Sequence, residues 1–351
     1  MNSLYIGLGG AGIEAAVTIF KKQSLVEGNL ASNRYLLIDT AFATEKTIPE
    51  ALRKDFIDIG AKSPNQIKQE MLNSPLKRWF VGWYDWYDHD HPLHEGSGTV
   101  RQYGRIGLLG RYDEVYQRLS TVISQSEQAL SPTEQLNIFV ITGSCGGTGS
   151  GIALDVLYMI NTIMRSGIIQ DIERCNNVYF LMALPEMYLE NEKADVQYNF
   201  ISNAMAFFTE LQFVMDNASV IPSPYYPIVP PKEWMQNVPF APFKRGFAVE
   251  SSKKTRQQMS QDMANLSCIL GDANPILPAD THDLADGVLA DKIRLYKNES
   301  AGLYSFVDWK FARKVMKMDE NSDVRTEEIW ERLCKQLTIT LITFGNYQIN
   351  L

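Results

Sequence analysis

Nine residues, GSCGGTGSG at 143–151, stand between the apolar runs NIFVIT (137–142) and IALDVLYMI (152–160). Glycine weakens strand and helix interiors alike, so five glycines in nine positions mark a loop of exposed backbone between a strand and a helix. Consecutive backbone N–H groups opening onto a helix N-terminus make a nest for anions, phosphate above all. No lysine follows in the G-x-x-x-x-G-K-[ST] spacing, so the loop is not a Walker A motif. Charge on a bound phosphate would be met by Mg²⁺, helix dipoles and backbone amides instead.

A second glycine loop lies near the start of the chain. The apolar segment SLYIGL runs into GLGGAG (7–12), which fits G-x-G-x-x-G through Gly7, Gly9 and Gly12. The residues that follow have helical spacing at Ile13, Ala16, Val17 and Phe20. Asp39 closes the next apolar run, RYLLIDTA (34–41), where a dinucleotide-binding fold places the acid for its ribose. On these residues alone three readings stand: a NAD-binding oxidoreductase built on GLGGAG and Asp39, glycines that serve only a tight turn, or a site gripping several phosphates from two sides. An ordinary dinucleotide fold has no use for the second cradle at 143–151, which favours the last.

NVYFLMALP (177–185) is a further apolar strand, and helical patterns cover 103–129 and 152–166. This alternation, continued to about residue 220, predicts a Rossmann-like, doubly wound, mostly parallel α/β sheet. Such sheets bind ligands at the carboxyl ends of their strands, where both glycine loops fall. The proline-rich stretch PSPYYPIVPPKEWMQNVPFAPF reads as an irregular excursion. Beyond it, 252–270, 279–296 and 325–341 have helical patterns and 303–312 reads as a strand. The expected division is a nucleotide-binding domain over 1–250, then a connecting helix and a reduced or truncated second domain over 251–351.

The formal net charge of −8 argues against a nucleic-acid or anionic-membrane surface, which would need a basic face. No apolar stretch is long enough to span a bilayer, and the first residues lack the layout of a signal peptide. The four cysteines are scattered without a CxxC pair, which predicts reduced thiols in a cytoplasmic protein. YDHDHPLHE (87–95) carries three histidines and three acids, read as solvated charge rather than a metal site. The aromatics of RWFVGWYDWY (78–87) read as packing, and Cys145 as a small residue in a tight turn. No Ser-His-Asp or Cys-His arrangement suggests itself.

GSCGGTGSG resembles the signature loop of the tubulin/FtsZ superfamily, with Gly146, Gly147, Thr148, Gly149, Ser150 and Gly151 matching G-G-T-G-[ST]-G position for position. GLGGAGIEAA is similar to that superfamily's first loop. The likeness implies phosphate contacts from Gly9, Gly10, Ala11 and Gly12, and puts Glu14 where FtsZ has an Asn facing guanine. LLIDTA resembles the second loop, with Asp39; GSGTVRQYGR (96–105) resembles the third, with Ser97 and Gly98 over the γ-phosphate; ALPEMY resembles the ribose loop. The third loop and the segment NAMAFFTELQFVMD lean toward the bacterial tubulin-like family. The resemblance covers roughly residues 1 to 225 in the right order.

It implies GTP or GDP with Mg²⁺ as ligand, held also by Gly143, Cys145, Gly146, Gly147, Thr148, Gly149, Pro185, Glu190 and Asn203. It further implies head-to-tail self-association, with GTP hydrolysis completed by acids that a neighbouring subunit inserts from a loop after its central helix. FtsZ writes that loop N-x-D-F-A-D. FVDWKF (306–311) is the nearest string here and makes Asp308 the catalytic acid, although Phe306 replaces the Asn and Phe311 the second acid. GDANP (271–275) is the alternative place for the loop. Ser223 stands where FtsZ has a guanine-binding Asn. A non-polymerising nucleotide-binding switch or scaffold for partner proteins is the alternative function.

Overall fold

Apolar runs covered on both faces pair as neighbours in one parallel sheet, because each offers a backbone ladder and two hydrophobic surfaces. The computed structural model describes residues 2–25, 33–71, 91–175, 177–185, 188, 194–216, 243, 245–250, 255–272 and 302–305. Among these the strands are β1 (Asn2–Leu8), β2 (Arg34–Asp39), β3 (Phe56–Asp58), β4 (Leu136–Gly143), β5 (Asn177–Ala183), β6 (Arg245–Glu250) and β7 (Gly302–Ser305). They form one sheet in the order β3-β2-β1-β4-β5-β6-β7. Every neighbouring pair from β3 to β6 is parallel, and β7 runs antiparallel to β6.

The helices are α1 (Gly9–Gln23), α2 (Phe42–Glu45), α3 (Glu50–Arg53), α4 (Pro64–Met71), α5 (Arg101–Gly110), α6 (Tyr112–Gln128), α7 (Gly147–Arg165), α8 (Ile172–Cys175), α9 (Ala194–Asp216) and α10 (Arg256–Asp272). Strand alternation sorts the core into two layers. Leu4, Ile6 and Leu8 of β1, with Ile138 and Val140 of β4, pack toward α5, α6, α7 and α9. Tyr5, Phe139, Ile141 and Leu181 pack on the other face with α1 and α10. On that face Tyr35, Tyr5, Phe139 and Tyr179 stack across four strands at 5.3, 5.2 and 5.1 Å between successive rings, which holds the register.

The doubly wound sheet is thus as expected, including the continuous apolar strands at β1, β2, β4 and β5. The helical pattern over 103–129 is two helices, broken at Arg111 (φ −125°). The pattern over 252–270 becomes α10, and the strand expected from 303 is the short β7. Two strands had no forecast: β3, of 3 residues, and β6, of 6 residues just after the proline-rich stretch. Neither is a continuous apolar run: β3 is FID, and β6, RGFAVE, has charged ends. The patterns at 279–296 and 325–341 and the aromatic run at 78–87 lie outside the described residues. Among the described residues no helix is long and apolar enough to cross a membrane.

The first helix begins hard against the central strand. A Cβ placed at Gly12 would stand 2.0 Å from the carbonyl oxygen of Ile141 and 3.3 Å from the Gly7 carbonyl carbon. Both are backbone of neighbouring central strands and cannot yield. Gly12→Ala is therefore expected to cost about 2 kcal/mol or more of stability, the usual scale for overpacking. Gly146→Ala, with nothing within 4 Å of its Cβ, leaves the unfolding midpoint unchanged. Equal midpoints for the two variants in urea or heat would refute this packing.

Candidate functional site

β1 and β4 are neighbours; β1 passes straight into α1, and β4 passes into α7 through residues 144–146. The N-termini of α1 and α7 therefore aim into the same space. Neither has a side chain capping its first turn or an acid within it. Their leading N–H groups and the positive ends of their dipoles are left for a ligand. The cleft above them encloses about 200 Å³. Its floor is Leu8, Gly9, Gly10 and Ala11 on one side, and Gly143 with Gly146, Gly147, Thr148 and Gly149 on the other. Asp39, Ala41, Gly96, Ser97, Tyr188 and Arg256 form the walls.

The two glycine loops lock against each other. Gly9 has φ +65°, and a Cβ there would stand 2.6 Å from the backbone N of Gly149; a Cβ on Gly149 would stand 2.6 Å from the Leu8 carbonyl oxygen. Gly147 faces Ser97, whose Oγ would lie 2.3 Å from an added Cβ. Gly146 differs. It lines the cleft, has ordinary extended backbone (φ −71°, ψ 159°), and an added Cβ meets nothing within 4 Å. Space for a ligand opens there, whereas Gly147 is closed by the protein itself.

The third wall, residues 96–100, is tied down from several sides. Ser97 Oγ lies 3.0 Å from Thr148 Oγ1, which lies 2.7 Å from Thr40 Oγ1. The Asn203 side-chain amide donates to the carbonyl oxygens of Thr99 (2.5 Å) and Cys145 (3.0 Å), joining this wall to the second glycine loop. Arg101 donates to Ser150 Oγ (3.1 Å) and Ser150 O (3.0 Å), pairs with Glu210 (2.5 Å), and lies over the Phe207 ring. The His91 ring stacks on Tyr103 at 4.4 Å, and its Nε2 meets the Gly96 carbonyl oxygen at 2.9 Å. Between these anchors Gly96, Gly98 and Thr99 all have positive φ; at Thr99 (φ 68°) the side chain makes that conformation strained.

Asp39 is 4% exposed. One carboxylate oxygen accepts from the Thr40 N–H (2.8 Å) and the other from the Thr44 hydroxyl (2.9 Å). Burial raises its pKa above the ordinary carboxylate value, and hydrogen bonds from Thr44, Thr148 and the backbone of Thr40 and Ala41 oppose that rise without cancelling it. Its carboxylate is thus bound into its own loop, which counts against the role of ribose anchor. Behind the cleft, Asp155 is also raised by burial, against the pull of Arg105, whose guanidinium grips it at 3.0 and 3.1 Å and ties α5 to α7.

Of the residues singled out from sequence, Gly9, Gly10, Ala11, Asp39, Ser97, Gly143, Gly146, Gly147, Thr148 and Gly149 line one cleft. Gly12 packs on Ile141, and Cys145 is fully buried beneath its loop. Gly98 and Pro185 are not among the lining residues, although the Pro185 carbonyl oxygen accepts from the Tyr188 N–H (2.8 Å) and so seats Tyr188 at the cleft. Asn203 holds two loops together rather than facing the cleft. Glu14 pairs with Arg256. Glu190, Ser223 and Asp308 lie outside the described residues. Arg256 was missed: it follows β6, the strand without a periodic signal, and only the sheet order shows that the residues after that strand reach the cleft.

A doubly wound sheet with two interlocked glycine loops at its switch point is the α/β architecture anticipated. The chain belongs to the tubulin-like family: the family model described as "Tubulin like" matches residues 4–350. Among curated proteins none matches the chain. Solved structures similar to it include CetZ from Methanosaeta thermophila strain DSM 6194 (15% identity, 83% of this chain, 60% of that chain, TM-score 0.47). CetZ1 from Haloferax volcanii, a GDP-bound monomer, shares 14% identity over 82% of this chain and 64% of that one, with a TM-score of 0.46. TubZ of Clostridium botulinum phage c-st shares 12% identity over 95% of this chain and 74% of that one, with a TM-score of 0.40. The chain spans about three-fifths of the length of these CetZ proteins.

Asp39→Asn tests the electrostatics of the cleft. An amide can accept from the Thr40 N–H and donate to Thr44 Oγ1, so the shape survives while the buried charge goes. Because the folded-state pKa of Asp39 is raised, the wild-type carboxylate disfavours folding once pH rises above its unfolded value, about 3.9, and does so fully above the folded one. Asp39→Asn should match wild-type stability below about pH 4 and exceed it at neutral pH. Urea unfolding at both pH values measures this; a variant less stable at neutral pH than in acid, relative to wild type, contradicts it.

Proposed function

We propose that the chain binds GTP and GDP, with the phosphates between the glycine loops at 7–12 and 143–151, and that copies associate head to tail with slow GTP hydrolysis at the contact. The observation that carries the phosphate reading is the convergence of the uncapped N-termini of α1 and α7 on a cleft that stays open at Gly146. Membership of the tubulin-like family supports guanine as the base and supports assembly. The NAD reading is disfavoured by the internal hydrogen bonds of Asp39.

The residues present fit Mg²⁺. Ser97 and Thr148 bring hydroxyl oxygens to the cleft beside the buried Asp39, and Mg²⁺ takes most of its ligands from phosphate and water. Among the described residues no group of three or more His, Cys, Asp and Glu could hold a metal without such a ligand. When bound, the ion would neutralise charge on the terminal phosphates. The chain's own part is to present N–H donors from both loops, set the wall at 96–100 against the terminal phosphate, and exclude water from the floor. Thr99 in its strained conformation is a segment able to change state with the presence of that phosphate.

Hydrolysis also needs a group that orients water, and α10 supports a place for it. The helix, of 17 residues, begins with Arg256 at the cleft and ends at Asp272. Its two ends are therefore about 24 Å apart, so an acid at the far end does not serve its own cleft. Stacked head to tail, it would serve the next copy's. We favour GDANP, with Asp272, over Asp308 as the source of that acid.

Gly146→Val fills the open part of the cleft and is expected to weaken GDP binding at least about tenfold with an unchanged unfolding midpoint. Wild-type affinity in that variant contradicts phosphate binding at this floor.

Specific GTPase activity should rise with protein concentration as sedimentable assemblies form. Asp272→Ala should bind GTP and associate normally but hydrolyse at least about tenfold more slowly. Activity independent of concentration contradicts the interface mechanism and leaves the non-polymerising switch. A slow Asp308→Ala beside a normal Asp272→Ala returns the acid to FVDWKF.

A further inference from the structure

The cleft contains a cation that the known glycine-loop chemistry does not use. Arg256, the first residue of α10, reaches back across the opening so that its Nη2 would lie 2.7 Å from a Cβ on Gly10, over the first turn of α1. Its Nε pairs with Glu14, also on α1, at 2.5 Å. The pair is open to solvent, with side-chain exposures of 52% for Arg256 and 36% for Glu14, so the pairing itself is weak. Arg256 lines the cleft and Glu14 does not.

The placement is electrostatically adverse as it stands. A guanidinium beside the N-terminus of a helix meets the positive end of its dipole. The N-terminus of α7 adds a second positive end in the same cleft, and Arg256 itself opens a third helix. Among the described residues the acid that lines the cleft is Asp39, buried and bound within its own loop. Glu14 is what holds the guanidinium there. A polyanion on the floor would reverse the balance: a phosphate oxygen close to Gly10 gives Arg256 a charge-assisted, two-pronged partner stronger than an exposed carboxylate.

We propose that Arg256 is a phosphate-binding residue, held in reserve by Glu14, which a nucleoside diphosphate draws off the carboxylate and onto its phosphate nearest Gly10. It supplies the fixed positive charge that a P-loop lysine supplies elsewhere. The inference rests on the nucleotide reading of the cleft but fails separately from it. Glu14 then acts as a competitor for the guanidinium, so removing its charge should favour the ligand rather than weaken it.

The experiment is equilibrium titration of the full chain with GDP and Mg²⁺, for wild type, Arg256→Gln, Arg256→Lys and Glu14→Gln, with the unfolding midpoint of each. The expected result is a GDP affinity at least about tenfold weaker in Arg256→Gln, partly restored in Arg256→Lys, and several-fold tighter in Glu14→Gln. GDP binding that is equal in wild type and Arg256→Gln overturns the inference while leaving the nucleotide reading standing. Equal weakening in Arg256→Gln and Glu14→Gln makes the pair a brace between α1 and α10 and also overturns it. No GDP binding by wild type removes the nucleotide reading itself, and this inference with it.

Discussion

Backbone-to-backbone contact between two glycine loops is the constraint on which the rest depends. Gly9 against Gly149, and Gly149 against Leu8, bring the ends of β1 and β4 so close that no side chain fits between them. Only at that separation do the N-termini of α1 and α7 share one cleft. The same closeness recurs where a Cβ on Gly104 would meet the Gly147 carbonyl oxygen at 2.6 Å and one on Gly151 the Arg101 carbonyl oxygen at 2.3 Å, which seats α5 on α7. Most of these glycines therefore serve the protein's own packing, whereas an added Cβ at Gly146 in the cleft floor meets nothing within 4 Å.

Around that contact the polar groups are placed to hold walls rather than to face solvent. Arg101 joins α5 to Ser150 of α7 and Glu210 of α9, and Asn203 joins the 96–100 wall to the second glycine loop. A change in the wall is thereby linked to α9, because the Asn203 amide that bonds the Thr99 carbonyl oxygen belongs to that helix. The buried carboxylates Asp39 and Asp155 are costly in isolation, and each is met by several donors in the same framework.

The sheet and the cleft floor were legible because their signals are local. Long apolar runs must pair, and glycines crowded at a strand end have few uses, so β1, β2, β4, β5 and both loops could be read directly. What could not be read depends on pairing across the chain. β6 is a six-residue strand with polar ends behind a proline-rich stretch, and its place beside β5 brings Arg256 to the cleft. Nothing in RGFAVE or the residues around Arg256 announces that. Asn203 and Glu14, expected beside the ligand, have partners of their own for the same kind of reason: a side chain's use depends on which donor or acceptor the fold sets next to it. The resemblance to the tubulin/FtsZ superfamily named loops that line one cleft and did not specify which atoms within them stay open.

The central claim is that this cleft holds the phosphates of a guanine nucleotide. Calorimetric titration of the full chain with GDP, ADP and NAD⁺ in Mg²⁺ buffer tests it most directly. The account predicts saturable binding of GDP at one site per chain, markedly weaker binding of ADP and none of NAD⁺. Preferential binding of NAD⁺, or no binding of any of the three, would contradict it.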